Sequence, residues 1–175
     1  MVLIIHLVKK AQKGNDKAFL TLFQEYEEEI YRMAYIYVKN QNDALDVVQE
    51  TAYRSFKSIK NLKEPKYFKT WLVKIAINCA LDILRKRQKV IPLRPRQEEL
   101  ISEEAKDDIV LEITLRDLFE LLTEEEKSVI ILRFYQDLTI NEVAGTLDIP
   151  LGTAKTILYR SIKKLRHELK GEDVL

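Results

Sequence analysis

Within 175 residues the sequence holds one cysteine, two histidines, four glycines and four prolines, and each scarcity excludes something. With Cys79 alone, no intramolecular disulfide can form and nothing calls for an oxidising compartment. Lying on an apolar helical stripe, Cys79 reads as a small core residue. His6 and His167 are far apart in sequence, so no histidine-rich metal site and no metal cofactor is expected. Sparse glycine and proline, together with the lack of strictly alternating apolar and polar runs, leave little basis for strands. The expected class is all-α. The apolar run Val2 to Val8 is far shorter than the roughly 20 residues that cross a bilayer. It also lacks a cationic leader and a small-residue cleavage site, so a cytoplasmic protein without membrane insertion is expected. A dominant charge is missing too. The 29 Lys and Arg nearly balance the 28 Asp and Glu, so the molecule as a whole is not a basic nucleic-acid binder.

What is present is charge laid out in blocks. Arg85 to Arg96 carries six cations and no acid, Glu98 to Glu126 is dominated by Asp and Glu, and beyond Leu151 the balance is basic again. That alternation fits two cationic surfaces separated by an acidic connector. Pro92 and Pro95 interrupt the helical pattern at the join, and the like charges that follow favour an extended linker. The length suits one ordinary domain or two small helical ones. The expected division is residues 1–88, an acidic linker at 89–107, and residues 108–175.

Within the first unit, a helix is expected over Ile4 to Lys13, stopped at Gly14-Asn15. Asp16 is placed to cap a second helix with Phe19, Leu22, Phe23, Tyr26 and Ile30 on one face, running on through Tyr37 and Val38. Asn42 or Asp43 caps a third over Ala44 to Ser58, with Ala44, Val47, Val48, Ala52, Tyr53 and Phe56 inward. A loop over Lys60 to Pro65 then leads into a long helix from Tyr67 to about Gln88, which completes a four-helix unit with a cationic tail. The second unit starts near Asp108, with Val110, Leu111, Leu115, Leu118 and Leu122 facing a core. Thr123 followed by Glu126 is a capping-box signature for a helix over Glu124 to Tyr135.

The richest stretch is Thr139 to Leu169. Ile140, Val143, Ala144 and Leu147 give the buried stripe of a short helix. Asp148-Ile149-Pro150 breaks it, because proline has no amide proton and biases its predecessor away from helix. A second helix restarts near Gly152-Thr153 with Ala154, Leu158, Ile162, Leu165 and Leu169 inward. Its other face carries Lys155, Thr156, Tyr159, Arg160 and Lys163. A helix-turn-helix needs this division, one face packing on the first helix and the other entering a major groove. An amphipathic hairpin with merely solvated lysines would show the same pattern; the basic face favours DNA.

Two other constellations carry chemistry. Asp46, Gln49 and Glu50 sit at i, i+3 and i+4, so they share one helix face opposite the apolar stripe. No histidine, cysteine or serine arrangement accompanies them, which argues against acid–base catalysis and leaves a solvated face or a docking patch for a protein. Tyr67, Phe68 and Trp71 begin the long helix, and Lys74, Asn78, Arg85, Lys86 and Arg87 follow on it. Aromatic faces beside cations suit unpaired bases and their phosphates, although Trp71 alone could equally be core.

These segments together resemble the sigma-70 family of bacterial transcription initiation factors, of the small extracytoplasmic-function type. The resemblance rests on AQKGNDKAFLTLFQEY, YRMAYIYVKNQNDALDVVQET, FKTWLVKIAINCALDILRKRQ and the stretch from LTEEEKSVIILRFYQDL through TINEVAGTLDIPLGTAKTILYRSIKKLRHEL, in that order, and spans almost the whole chain. It implies two helical domains, the sigma region 2 bundle and the region 4 helix-turn-helix, and a non-enzymatic factor that directs RNA polymerase core to promoters. It further implies that Asp46, Gln49 and Glu50 dock on the beta-prime clamp helices. The loop with Lys60, Asn61, Leu62 and Lys63 would capture a flipped minus-ten base together with Asn78, and Trp71 and Arg85 would serve the melted strand. Thr153, Lys155, Thr156, Tyr159, Arg160 and Lys163 would read the minus-thirty-five element. The acids of the linker could mimic RNA phosphates near the polymerase cleft. Core polymerase (clamp and beta flap), promoter DNA and an anti-sigma factor, often membrane-anchored, are the implied partners. Three departures stand out. Ile157 occupies a position where many relatives carry arginine, so a DNA contact is expected to be missing. Gly145 lies inside a helix, costing roughly 1 kcal/mol against alanine. Asp148 fills a turn position often held by glycine, which Asp tolerates. A stand-alone helix-turn-helix regulator is the second reading. An enzyme acting on nucleic acid lacks a metal cluster, a phosphate loop or an activated nucleophile.

Overall fold

The computed structural model describes residues 2–90 and 118–171, and among these there is no strand. Lys89 and Val90, expected at the start of the linker, end α5; residues 91–107, the start of the second unit at Asp108, and Val110, Leu111 and Leu115 lie outside the described residues.

Five helices make the first unit: α1 (Val2–Gln12), α2 (Asp16–Gln24), α3 (Glu27–Val38), α4 (Gln41–Ser58) and α5 (Phe68–Val90). Gly14 supplies the left-handed turn after α1 at φ +90°, as the sequence suggested. The cap of α2 is Asn15 rather than Asp16, its side chain accepting from the Ala18 N–H at 2.9 Å. Likewise α4 is capped by Asn40, not Asn42 or Asp43, through the Asp43 N–H. The single helix expected over residues 16–38 is two. Tyr26 breaks it at φ −117°, ψ −4°, and its ring packs against Phe68 at 5.8 Å between centroids. No glycine or proline marks that break; a tertiary contact accompanies it.

The inward face of α4 also differs from expectation. Tyr53 and Phe56 are exposed, whereas Thr51 and Ser55 are fully buried. Their hydroxyls are satisfied locally, donating to the carbonyls of Val47 and Thr51, each at 2.6 Å. Between α4 and α5 the chain makes two short 3₁₀ turns, Ile59–Asn61 and Pro65–Tyr67. Phe68, Leu72, Ala76 and Ala80 on α5 are wholly buried against α3 and α4. Burying a large side chain such as Phe68 or Leu72 stabilises by about 1.5–3 kcal/mol each.

The second unit comprises α6 (Glu124–Ile130), continued as a wider π-helical turn at Ile131–Tyr135, then α7 (Ile140–Leu147) and α8 (Leu151–Gly171). Capping boxes start both α6 (Thr123 with Glu126) and α7 (Thr139 with Glu142). Asp148 closes α7 in the left-handed conformation at φ 54°, the role expected of it. Leu118 and Leu122 are buried as the pattern indicated.

The buried apolar side chains form one cluster that passes from the first unit into α6, α7 and α8. Tyr37 Oη and Ser128 Oγ meet across this boundary at 2.7 Å, both buried. Lys39–Glu120 (2.5 Å) and Lys74–Asp148 (2.7 Å) pair at its rim, and Gln136 donates to Glu29 (2.5 Å). Helix α5 packs directly on α7.

Candidate nucleic-acid and partner interfaces

On α4, Asp46 and Gln49 are exposed and Glu50 is half-buried. All three line an open polar groove of about 610 Å³ whose far wall is α5, with Asp82 and Lys86. Glu50 is not a free carboxylate. Arg54, one turn on, donates to it at 2.6 Å and reaches across to Asp82 at 2.9 Å. Those two bonds raise the Arg54 guanidinium above its ordinary value, against a smaller opposing effect of burial. Arg87 pairs with Asp43 further along the groove. Glu50, Asp82 and Asp43 are therefore paired across the groove, while Asp46 and Gln49 face solvent from α4. Cys79 lies beneath, its thiol pushed up by burial, consistent with a core residue.

Around the 3₁₀ turns, Lys60, Asn61 and Lys63 are exposed, but Leu62 is buried. Its side chain anchors the loop in the core, and the Gln12 amide donates to its carbonyl at 2.7 Å and to that of Ile59 at 3.1 Å. Trp71 is half-buried, packed against Phe68 at 5.9 Å between ring centroids. Its remaining surface lines a groove of about 290 Å³ with Lys63, Tyr67 and Lys74. Core packing and an accessible ring thus coexist at this residue. Asn78 and Arg85 follow Trp71 at successive seven-residue steps, two turns each, so all three share one side of α5. Both are exposed, and Arg85 contacts Asp82 at 3.3 Å. Unexpected from sequence, Gly145 and Thr146 of α7 form the opposite wall of the Trp71 groove.

On α8, Gly152, Thr156, Tyr159 and Lys163 run along the solvent side, with Lys155 and Thr153 beside them; all are exposed, Tyr159 by 71%. The Thr156 hydroxyl donates to the Gly152 carbonyl at 2.9 Å. The buried side centres on Ala154, Ile157 and Ser161. Ile157 is only 6% exposed, so this position faces the core and offers no side chain to a groove. Leu169, placed in the apolar stripe by periodicity, is 45% exposed.

Arg160 sits at the border of the exposed face and is anchored. Its Nε donates to Glu126 at 2.7 Å, and Lys164 Nζ donates to the same carboxylate at 2.8 Å. Glu126 is fully buried and also accepts the Thr123 backbone N–H at 3.0 Å. Burial works to raise its pKa, but the bonds from Lys164, Thr123 and Arg160 outweigh it and hold the carboxyl below its ordinary value. The capping pattern flagged Glu126; nothing in the linear sequence joined it to α8. Arg54 was missed as well, although its i+4 spacing from Glu50 was a usable signal. A third omission is Phe134 and Tyr135, which the π turn leaves about half exposed.

No described helix is long and apolar enough to cross a membrane, and no group of three metal-ligating side chains occurs among the described residues. Comparison with known proteins gives two family matches, to Sigma-70 region 2 over residues 22–90 and to Sigma-70, region 4 over residues 118–167. RNA polymerase sigma factor SigV of Bacillus subtilis is 36% identical over 164 residues, covering 93% of this chain and 98% of that protein. The ECF RNA polymerase sigma factor SigW of the same organism is 27% identical, covering 93% and 95%. Among solved structures, CnrH in complex with the cytosolic domain of CnrY aligns with a TM-score of 0.72 at 20% identity, covering 97% of this chain and 98% of that one. The sigma factor RpoE, solved with the anti-sigma factor NepR from Bartonella quintana, aligns at 0.69 and 19% identity, covering 88% and 98%. These likenesses extend the agreement to the fold.

Proposed function

The chain belongs to the sigma-70 family of RNA polymerase sigma factors, and from that premise we propose how its surfaces divide the work of promoter recognition. As a sigma factor it directs transcription initiation and leaves nucleotide addition to the polymerase. Residues 1–88 dock on the beta-prime clamp through Asp46, Gln49 and Glu50. The same unit receives the melted minus-ten strand, with Lys60, Asn61 and Lys63 at the loop and Trp71, Asn78 and Arg85 along α5; Leu62 holds the loop in place. Residues 89–107 connect the units. Residues 108–175 place α8 in the major groove of the minus-thirty-five element, where Lys155, Thr156 and Tyr159 face base edges and Thr153 and Lys163 flank them.

One observation carries this reading: an exposed acid–amide face, Asp46 and Gln49 beside the Glu50–Arg54–Asp82 chain, stands on the same chain as two exposed cationic and aromatic surfaces. Stand-alone DNA binding would leave the Asp46–Glu50 groove without a use. A clamp that accepts acids and amides gives it one, and stacking at Trp71 suits a strand opened only in the polymerase complex. The beta flap on the second unit and an anti-sigma factor covering these surfaces belong to the same proposal.

Promoter-dependent transcription by purified core polymerase, with and without this protein, on a genomic fragment library tests it. New discrete start sites sharing an upstream pair of motifs are expected. No start sites and no core binding, with tight duplex binding by the protein alone, would establish the stand-alone regulator instead.

A further inference from the structure

Helices α6 and α7 both begin with a Thr–Glu capping box, yet the two glutamates live in different surroundings. Glu142 is exposed and, among the described residues, is held by Thr139 alone, through its backbone N–H at 2.8 Å and its hydroxyl at 2.7 Å. Glu126 makes the same backbone bond, but is fully buried and carries two cations from α8 besides. Capping therefore needs neither burial nor Arg160 and Lys164. A buried carboxylate is costly unless charged partners compensate it, so both cations are tied to this spot.

The way they are tied leaves most of their donors unused. Arg160 spends its Nε on Glu126 at 2.7 Å, and its two Nη groups, with no partner among the described residues, complete a planar fork that suits phosphate. Lys164 spends one of three ammonium donors. Their side chains stay 52% and 40% exposed. Arg160 follows Tyr159 directly and Thr156 by one turn, placing the pair at the rim of the face that would enter the groove. One buried negative charge thus supports two outward positive ones.

We infer that Glu126 is a positioning residue for promoter binding, holding Arg160 and Lys164 toward a DNA backbone phosphate at the edge of the groove that α8 occupies. The inference rests on α8 being the recognition helix. A phosphate contact of this kind fixes the register of the helix on the duplex and leaves sequence choice to the residues beside it. Lys155, Thr156 and Tyr159 would then meet the same bases each time because the rim is clamped.

The sign of one substitution separates positioning from proximity. Glu126→Gln keeps a side chain able to complete the capping box while removing a negative charge next to DNA. Were the carboxylate a bystander, the variant would bind DNA more tightly. Positioning gives the opposite. The holoenzyme of polymerase core and full-length protein is titrated against a duplex fragment of the promoter found by the transcription assay, at several salt concentrations, alongside thermal unfolding. The expected result is about tenfold weaker binding, with the slope of log affinity against log salt lower by about one phosphate. Arg160→Lys keeps the charge but loses the Nε anchor and the fork. It is expected to show the same fall in slope with near-native melting, which guards against a misfolded Glu126→Gln.

Tighter or unchanged binding by Glu126→Gln, or weaker binding with an unchanged salt slope, overturns the inference. Lys155→Ala is the control for the underlying reading. If Lys155→Ala weakens binding while Glu126→Gln does not, the positioning role alone fails. If neither substitution changes binding, the recognition-helix reading fails with it.

Discussion

Tyr37 and Ser128 are 91 residues apart in sequence, belong to different units, and share one buried hydrogen bond of 2.7 Å. The directions of the bonds can be worked out. Ser128 Oγ also lies 2.8 Å from the Glu124 carbonyl, which can only accept, so the serine proton goes there. Tyr37 is then the donor to Ser128. Burial pushes the phenol above its ordinary value, so it stays protonated throughout the working range. Tyr37→Phe leaves Ser128 with its own donated bond and should cost about 1 kcal/mol, the usual net worth of such a bond. Ser128→Ala strands a buried phenol donor and should cost about 2 kcal/mol, within the range for an unsatisfied group. With both changed, nothing is stranded, and the total should fall short of the sum by about 1 kcal/mol. Urea unfolding of the four proteins at neutral pH measures this cycle. Additivity to within about 0.3 kcal/mol would refute the reasoning, because it would mean the two side chains do not meet in solution.

Three further outcomes follow from local geometry. Gly145 lies mid-helix in α7 without positive φ, and a Cβ there would meet nothing within 4 Å; Gly145→Ala should raise stability by about 0.5–1 kcal/mol in chemical unfolding. Thr139→Ala removes the cap of α7, whose side chain accepts the Glu142 N–H at 3.3 Å, and should cost about 1 kcal/mol by the same measurement. Because the folded pKa of Glu126 lies below its unfolded value, its ion pairs contribute stability above the ordinary carboxylate range and lose it as pH falls through the lower folded value. The stability difference between the wild type and Glu126→Gln should therefore shrink on acidification, and a difference that stays constant down to low pH would contradict the pairing.

Much of the architecture could be read from local pattern because it is local chemistry. Thr123 with Glu126 marks a helix start within four residues, and Asp148-Ile149-Pro150 ends one within three. Periodicity placed Ala44, Val47 and Val48 inside α4 correctly, and failed one turn later at Tyr53 and Phe56. There Thr51 and Ser55 satisfy their hydroxyls on the helix's own carbonyls and so enter the core, a possibility that hydrophobic counting does not register. The helix break at Tyr26 comes with a ring contact to Phe68, 42 residues away, which no local signal announces.

The sequence by itself determined the all-α class, the helix-turn-helix and the residues that could carry charge or stack on bases, because each depends on neighbours within a turn or two. It also carried the family, through four segments in order. Only the tertiary structure decided which of those residues are free to act. It turned Leu62 and Ile157 inward, linked Glu50 to Asp82 through Arg54, and put Gly145 and Thr146 opposite Trp71. It also brought Glu126 beneath Arg160, 34 positions away. The physical reason is the same in each case: burial and ion pairing depend on what lies across the fold, and helical periodicity specifies a face without naming what will cover it.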